Sequence, residues 1–157
     1  MIKVLGDKIK YDKISLINSF LNHVRTNPKK IALTYKNKKI SYDKLFSSIR
    51  ILSKKILTTN DNVVVIMQRD INLPITVWAL LLSQNTYIPL NNKISKNELL
   101  SVLQKLNCNT IITNLDRIKK FRLKNKIKII FLKKNLYNSV KKIDTVNFKK
   151  IKKLKDL

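Results

Sequence analysis

Apolar positions along the chain alternate between two periods, and that alternation predicts its elements. From Leu16, the residues Phe20, Leu21 and Val24 recur at helical spacing, with Ser15 placed to cap the helix and Asn27-Pro28 to end it. Ile31–Tyr35 predicts a strand, Lys36-Asn37-Lys38-Lys39 a hairpin turn, and Ile40 a short returning strand. Ser41 is expected to cap a second helix, whose face is Tyr42, Leu45, Phe46, Ile49, Leu52 and Ile56. After a polar loop from Thr58 to Asn62, the β-branched run Val63–Met67 reads as a strand covered on both faces. A helix over 72–83 follows, with Pro74 tolerable in its first turn, and then a short strand over 86–90. Ser95 with Glu98 forms a capping box for a fourth helix, with Leu99, Leu100, Val102, Leu103 and Leu106 expected to pack inward. A buried-type strand over 110–113, a short helix over 115–121 and a strand over 127–131 complete the series.

Helices and strands alternate throughout, so the fold class is α/β with a largely parallel sheet. Residues 1–14 read as an N-terminal lead, 15–132 as the α/β body, and 133–157 as a basic C-terminal tail. In that tail Phe148, Ile151 and Leu154 give only a narrow apolar face, so Lys141 to Lys155 reads as a frayed end rather than a binding helix. The longest apolar stretch, Ile71 to Leu82, contains Asn72, Pro74 and Thr76 and is too short to span a bilayer.

The 157 residues carry a formal charge of +25, which invites a nucleic-acid reading. The kind of basic residue argues against it, because 29 Lys stand beside only 5 Arg, with 18 Asn and 22 Ile but 2 Ala. Phosphate recognition favours arginine, whose planar fork binds bidentately. Lys, Asn and Ile rising together, while Ala and Gly fall, is what A/T-rich codons would leave. The excess sits at the ends: residues 1–60 hold 14 basic and 3 acidic side chains, 61–112 hold 4 and 3, and 113–157 hold 16 and 3. A binding module for RNA, DNA or an anionic membrane is the alternative reading, and non-specific adhesion to polyanions is expected in any case.

One glycine, one histidine and one cysteine exclude several chemistries. A phosphate loop needs glycines where the backbone approaches the anion, and none lies beyond Gly6. A zinc site or a disulfide framework needs several Cys or His. Cys108 reads as a reduced, buried thiol, and with no secretory signal at Met1–Lys13 the cytoplasm is the expected location. Arg69 and Asp70, just past a buried strand, stand where α/β proteins place binding groups, but a salt bridge or helix-end role suits them better. Tyr42 and Tyr87 are expected in the core with tethered hydroxyls. His23 is expected on a solvated helix face, and Trp78 in the core or against a neighbouring surface.

From Phe20 to Leu115 the chain resembles the opening of an adenylation domain of the adenylate-forming superfamily. It is most similar to the amino-acid-activating domains of nonribosomal peptide synthetases. Ile40-Ser41-Tyr42-Asp43-Lys44-Leu45 resembles the family's L-T-Y-x-E-L motif. Val63 to Asn91 resembles its strand, the following arginine (here Arg69), the next helix and L-K-A-G-x-A-Y-V-P-L-D. Ser95 to Asn114 is similar to its P-x-E-R-L-x-x-M-L helix and the strand after it. Leu82, Gln84, Asn85 and Asn91 depart from the pattern, the middle two falling where the family usually has glycines.

The resemblance implies a partial N-terminal subdomain of that fold. It also implies the family's cofactors, ATP and Mg, although the phosphate-wrapping loop and the elements for adenine, ribose and catalysis would lie further along than Leu157. No catalytic, cofactor-binding or metal-binding residue is therefore carried over. A truncated or split enzyme, inactive alone, is the expected function, with a complementary chain as its partner. Of those two versions, the lost glycines and the missing loop favour a decayed, truncated gene product.

Overall fold

A computed structural model describes residues 16–56, 61–123 and 126–132. Ser15, Thr58 to Asn60, the lead and the basic tail lie outside the described residues. Helix α1 (Leu16–Thr26) buries Phe20, Leu21 and Val24 of the face its spacing predicts, while Leu16, in its first turn, is exposed. Strands β1 (Ile31–Tyr35) and β2 (Lys38–Ser41) pair antiparallel as a separate two-stranded sheet. Their turn is shorter than the four residues expected: Tyr35 pairs with Lys38, leaving Lys36 and Asn37 between the strands, with Lys36 in the left-handed region. A tighter connection lets two more residues join the ladder.

Helix α2 (Tyr42–Ile56) buries Leu45, Phe46, Ile49, Leu52 and Ile56. Its start differs in detail from the expected serine cap. The Ser41 hydroxyl donates to Asp43, and it is the Asp43 carboxylate that accepts the Lys44 N–H, at 2.7 Å. Partial burial raises the Asp43 carboxyl, but hydrogen bonds from Lys29, Ser41 and the Lys44 N–H outweigh it and hold the group below its ordinary value.

The central sheet contains β3 (Asn62–Ile66), β4 (Thr86–Pro89), β5 (Thr110–Thr113) and β6 (Lys128–Phe131), in the order β4-β3-β5-β6, all parallel. Strand β3 is covered on both faces, as its β-branched run predicts. Val63 and Val65 pack into one apolar cluster, with α1, α2 and α3 (Asn72–Leu82); Val64 and Ile66 pack into the other, with α4 (Lys96–Lys105) and Ile118 of the single-turn α5 (Asp116–Lys119). Beside the first cluster Phe20 stacks on Trp78 at 4.4 Å between ring centroids. Among the described residues no helix is long and apolar enough to cross a membrane.

Edge strand β4 turns alternate main-chain groups towards β3, with Thr86 N bonded to Asp61 O and Leu90 N to Val65 O. Pro89 falls on the opposite alternation, where its missing N–H costs no ladder bond. At the far edge Lys128 reaches across the fold, and its Nζ donates to the Lys55 and Ile56 carbonyls at the end of α2 at 3.0 and 3.1 Å. Those carbonyls have no partner within the helix, and a cation suits the negative end of its dipole.

The helix ends explain two further positions. Ser95 and Glu98 form the expected capping box, whose hydrogen bonds lower the Glu98 pKa. Leu106 corrects an expectation: it is 38% exposed, because α4 has already closed and Leu106 is its C-cap. Past α3, Asn85 N bonds to Leu80 O and Gln84 N to Leu81 O, the Schellman pattern, which forces Gln84 to φ 58°. A side chain there costs about 1–2 kcal/mol relative to right-handed backbone, which glycine avoids. Gln84→Gly is expected to stabilise the chain by about 1 kcal/mol in urea unfolding. An unchanged or lower midpoint would show that the Gln84 side chain contributes packing that offsets the strain.

Candidate functional site

In open parallel sheets, ligands collect at the carboxyl ends of the strands, where successive crossovers leave to opposite faces. That point lies between β3 and β5 here, since α3 leaves β3 over one face while α4 and α5 cover the other. Residues Met67 to Asp70 emerge from β3 and Asn114-Leu115 from β5, in register because Ile66 pairs with Thr113.

The crevice between the two strands is closed by its own side chains. Asn114 Oδ1 accepts the Gln68 N–H at 3.0 Å, and Asn114 Nδ2 donates to Asp70 Oδ2 at 2.9 Å. Asp70 Oδ1 accepts the Asn72 N–H at 2.8 Å, so its carboxylate serves the start of α3. Below them the buried Thr113 hydroxyl donates to Ile66 O at 2.7 Å and accepts the Leu115 N–H at 3.1 Å. Asn72 itself is fully buried, and its Oδ1 has no hydrogen-bond partner among the described residues.

Asp70 therefore takes the helix-end role expected of it. Arg69 is exposed, and its carbonyl accepts the Tyr35 hydroxyl at 2.9 Å, tying the β1–β2 hairpin to the sheet. Among the described residues the ion pairs are Lys29–Asp43 and Lys119–Asp116, so Arg69 has no salt bridge. Tyr42 and Tyr87 are half-buried against the first cluster, but neither hydroxyl is tethered among the described residues. Tyr35 supplies the tethered phenol instead. His23 is exposed as expected and also stacks on Tyr42 at 5.5 Å. Cys108 is a buried free thiol, its Sγ 2.9 Å from Asn62 O.

An open cleft lies beside the closed crevice, displaced towards β4. It measures about 790 Å³ and is floored by Val65, Met67, Leu73, Tyr87 and Leu90, with Arg69 the charged residue in its lining. One wall is the loop after β4, which Arg117 holds through the Ile94 carbonyl at 2.8 Å and the Asn92 carbonyl.

A polyphosphate needs free backbone N–H groups and no adjacent carboxylate. At these strand ends the N–H groups of Gln68, Asn72, Leu73 and Leu115 are already bonded, and Asp70 brings a negative charge. Among the described residues no cluster of His, Cys, Asp or Glu could hold a metal. The periodicity of the chain does not predict the Asp70–Asn114 bridge, although both residues follow buried strands that the pattern places in parallel.

Residues 20–155 match the AMP-binding enzyme family. No curated protein matches the chain. Among solved structures, the Klebsiella oxytoca NpsA N-terminal subdomain in complex with 3-hydroxyanthranilyl-AMSN is similar with a TM-score of 0.67 and 17% identity, over 87% of this chain and 35% of that one. Unliganded o-succinylbenzoate coenzyme A synthetase (MenE) from Bacillus subtilis gives a TM-score of 0.63 and 20% identity, over 71% of this chain and 25% of that one. An artificially fused adenylation-PCP di-domain, NpsA-ThdA from Klebsiella oxytoca, gives 0.61 and 16%, over 82% and 25%. The chain thus spans a quarter to a third of these solved chains, and its alternating α/β architecture is that of their N-terminal subdomain. With a family match over most of its residues, the chain belongs to the AMP-binding enzyme family.

Proposed function

We propose that this chain forms the N-terminal part of a carboxylate-adenylating enzyme of the nonribosomal peptide synthetase-like kind, works in the cytoplasm, and does not adenylate by itself. Adenylation joins a carboxylate oxygen to the α-phosphate of ATP and expels pyrophosphate, so the phosphates must be held and their developing charge stabilised. The observation that carries the reading is the closed crevice: Asp70, Asn114 and the N–H groups of Gln68 and Asn72 are committed to one another. That commitment supports a scaffold whose chemistry resides in a complementary portion of the fold, in a split enzyme or a decayed one. The nucleic-acid or membrane-surface alternative gains no support from the family or the fold.

Purified chain is expected to give background ATP–pyrophosphate exchange with a panel of amino and aryl acids. Exchange above background that depends on one of those acids would overturn the proposal.

A further inference from the structure

We infer that the open cleft at the carboxyl ends of β3 and β4 is a binding site for a ring-bearing organic monoanion, with Arg69 as its counter-charge. At about 790 Å³ the cleft lies within the range of small-molecule sites. Its lining carries one charge, that of Arg69, and no carboxylate. Among the described residues the Arg69 guanidinium enters no ion pair, so its planar fork is available to an anion from solution.

Both walls are set before any ligand arrives. On one side the backbone around Arg69 is pinned. Its carbonyl accepts the Tyr35 hydroxyl, the Gln68 N–H bonds to Asn114, and the Leu73 N–H bonds to the Asp70 carbonyl. On the other side Asn91 Oδ1 accepts the Lys93 N–H at 2.8 Å and the Asn91 carbonyl accepts the Ile94 N–H at 3.1 Å, which folds the loop into a turn. Arg117 clamps that turn through the Asn92 and Ile94 carbonyls, its guanidinium 5.5 Å from the Phe121 centroid. Arg117 is thus committed to main-chain oxygens, and Arg69 is left as the cation of the cleft. A cavity held in place this way loses little freedom when it binds.

The floor selects the body of the ligand. Leu73 gives it apolar surface, while Tyr87 and Met67 add a ring and a thioether, both of which pack favourably on an aromatic face. The charge count selects the head group. One guanidinium compensates one negative charge, and a polyphosphate would hold its further charges uncompensated above apolar side chains. A zwitterionic amino acid is disfavoured too, because its ammonium finds no carboxylate. Asp70 does not line the cleft, and both its oxygens are held by Asn72 and Asn114. A carboxylate or sulfonate on a flat apolar ring system meets both conditions.

The test titrates the full chain with 2-naphthalenesulfonate and follows binding by calorimetry and amide chemical shifts. Physiological salt, with a Debye length of about 8 Å, damps adhesion to the lysine-rich surface. Saturable one-to-one binding is expected, with shifts centred on residues 67–73 and 87–92. Arg69→Gln, at an exposed side chain, should weaken binding by about tenfold or more with circular dichroism unchanged. Lys105→Gln, at the far end of α4, removes the same charge and should bind like wild type. L-Phenylalanine and ATP should leave the cleft resonances where they are. Equal weakening by Arg69→Gln and Lys105→Gln, or shifts spread over the lysine-bearing surfaces, would overturn the assignment. So would competition for the cleft by phenylalanine or ATP, or the lack of any saturable binding. The wild-type shift map decides the location even if Arg69→Gln fails to fold. A sulfonate offers no carboxylate to activate, so this site and the function proposed above can fail separately.

Discussion

Phe46→Ala is expected to cost about 3–5 kcal/mol, enough to leave much of the chain unfolded at ambient temperature. Phe46 is fully buried and sits 6.2 Å from Phe20 between ring centroids, at the junction of α1, α2 and the first cluster. Phe20 in turn holds Trp78 of α3 and contacts Tyr42 at 6.1 Å, so removing one ring loosens three helices. The Arg50 guanidinium lies 5.9 Å from the Phe46 centroid, and its buried Nε has no hydrogen-bond partner among the described residues. Truncation would therefore open a cavity beside an already underserved cation, which few residues could collapse to fill. Urea unfolding of Phe46→Ala beside Leu106→Ala, whose exposed side chain should matter by less than about 0.5 kcal/mol, measures the difference. A loss below about 1 kcal/mol at Phe46 would mean that the aromatic junction is not a unit of stability.

The next largest effect is expected at the strand ends. Asp70→Ala and Asn114→Ala should each cost about 1–3 kcal/mol, because each leaves partly buried donors or acceptors unpaired. Their combination should fall short of additivity by about 0.5–3 kcal/mol, since both remove the same 2.9 Å contact. Amide exchange localises the change: the N–H groups of Gln68 and Asn72, which bond to Asn114 and Asp70, should lose protection in the respective variants. Strict additivity would show that the bridge between β3 and β5 contributes nothing as a pair.

Much of the fold is legible in the sequence because its signals are local and mutually consistent. The run Val63–Met67 can be satisfied only by a strand with apolar layers on both sides, and the two clusters flanking β3 are that arrangement. Ser95 and Glu98 specify their own geometry within four residues. The extent of packing at helix ends is harder to read. Leu106 continues the apolar spacing of α4 but falls beyond its last turn, and periodicity carries no information about where a helix closes.

The site is less legible than the fold, for a related reason. Gln84 is conspicuous in sequence as a departure from the family's glycine, yet only the backbone shows that it keeps the left-handed conformation a glycine would hold without strain. The Asp70–Asn114 pairing joins residues 44 apart in sequence, and its partners are chosen by strand register. Register is a property of the assembled sheet, so no short window of sequence contains it. Tyr35, tethered to the Arg69 carbonyl across 34 positions, escapes sequence reasoning for the same cause.

The placement of Pro89 bears on how this protein behaves when crowded. Along the outward side of β4 the available main-chain donor is that of Tyr87, because the N–H groups of Thr86 and Leu90 are engaged with the neighbouring strand and Pro89 has none. A foreign strand laid against that edge would find one donor where an unbroken strand offers two, which weakens it as a template for cross-β growth. Lysine repulsion guards most other surfaces against self-contact, but a short, uncharged edge has no such defence. One imino acid supplies it by geometry, independently of salt and pH.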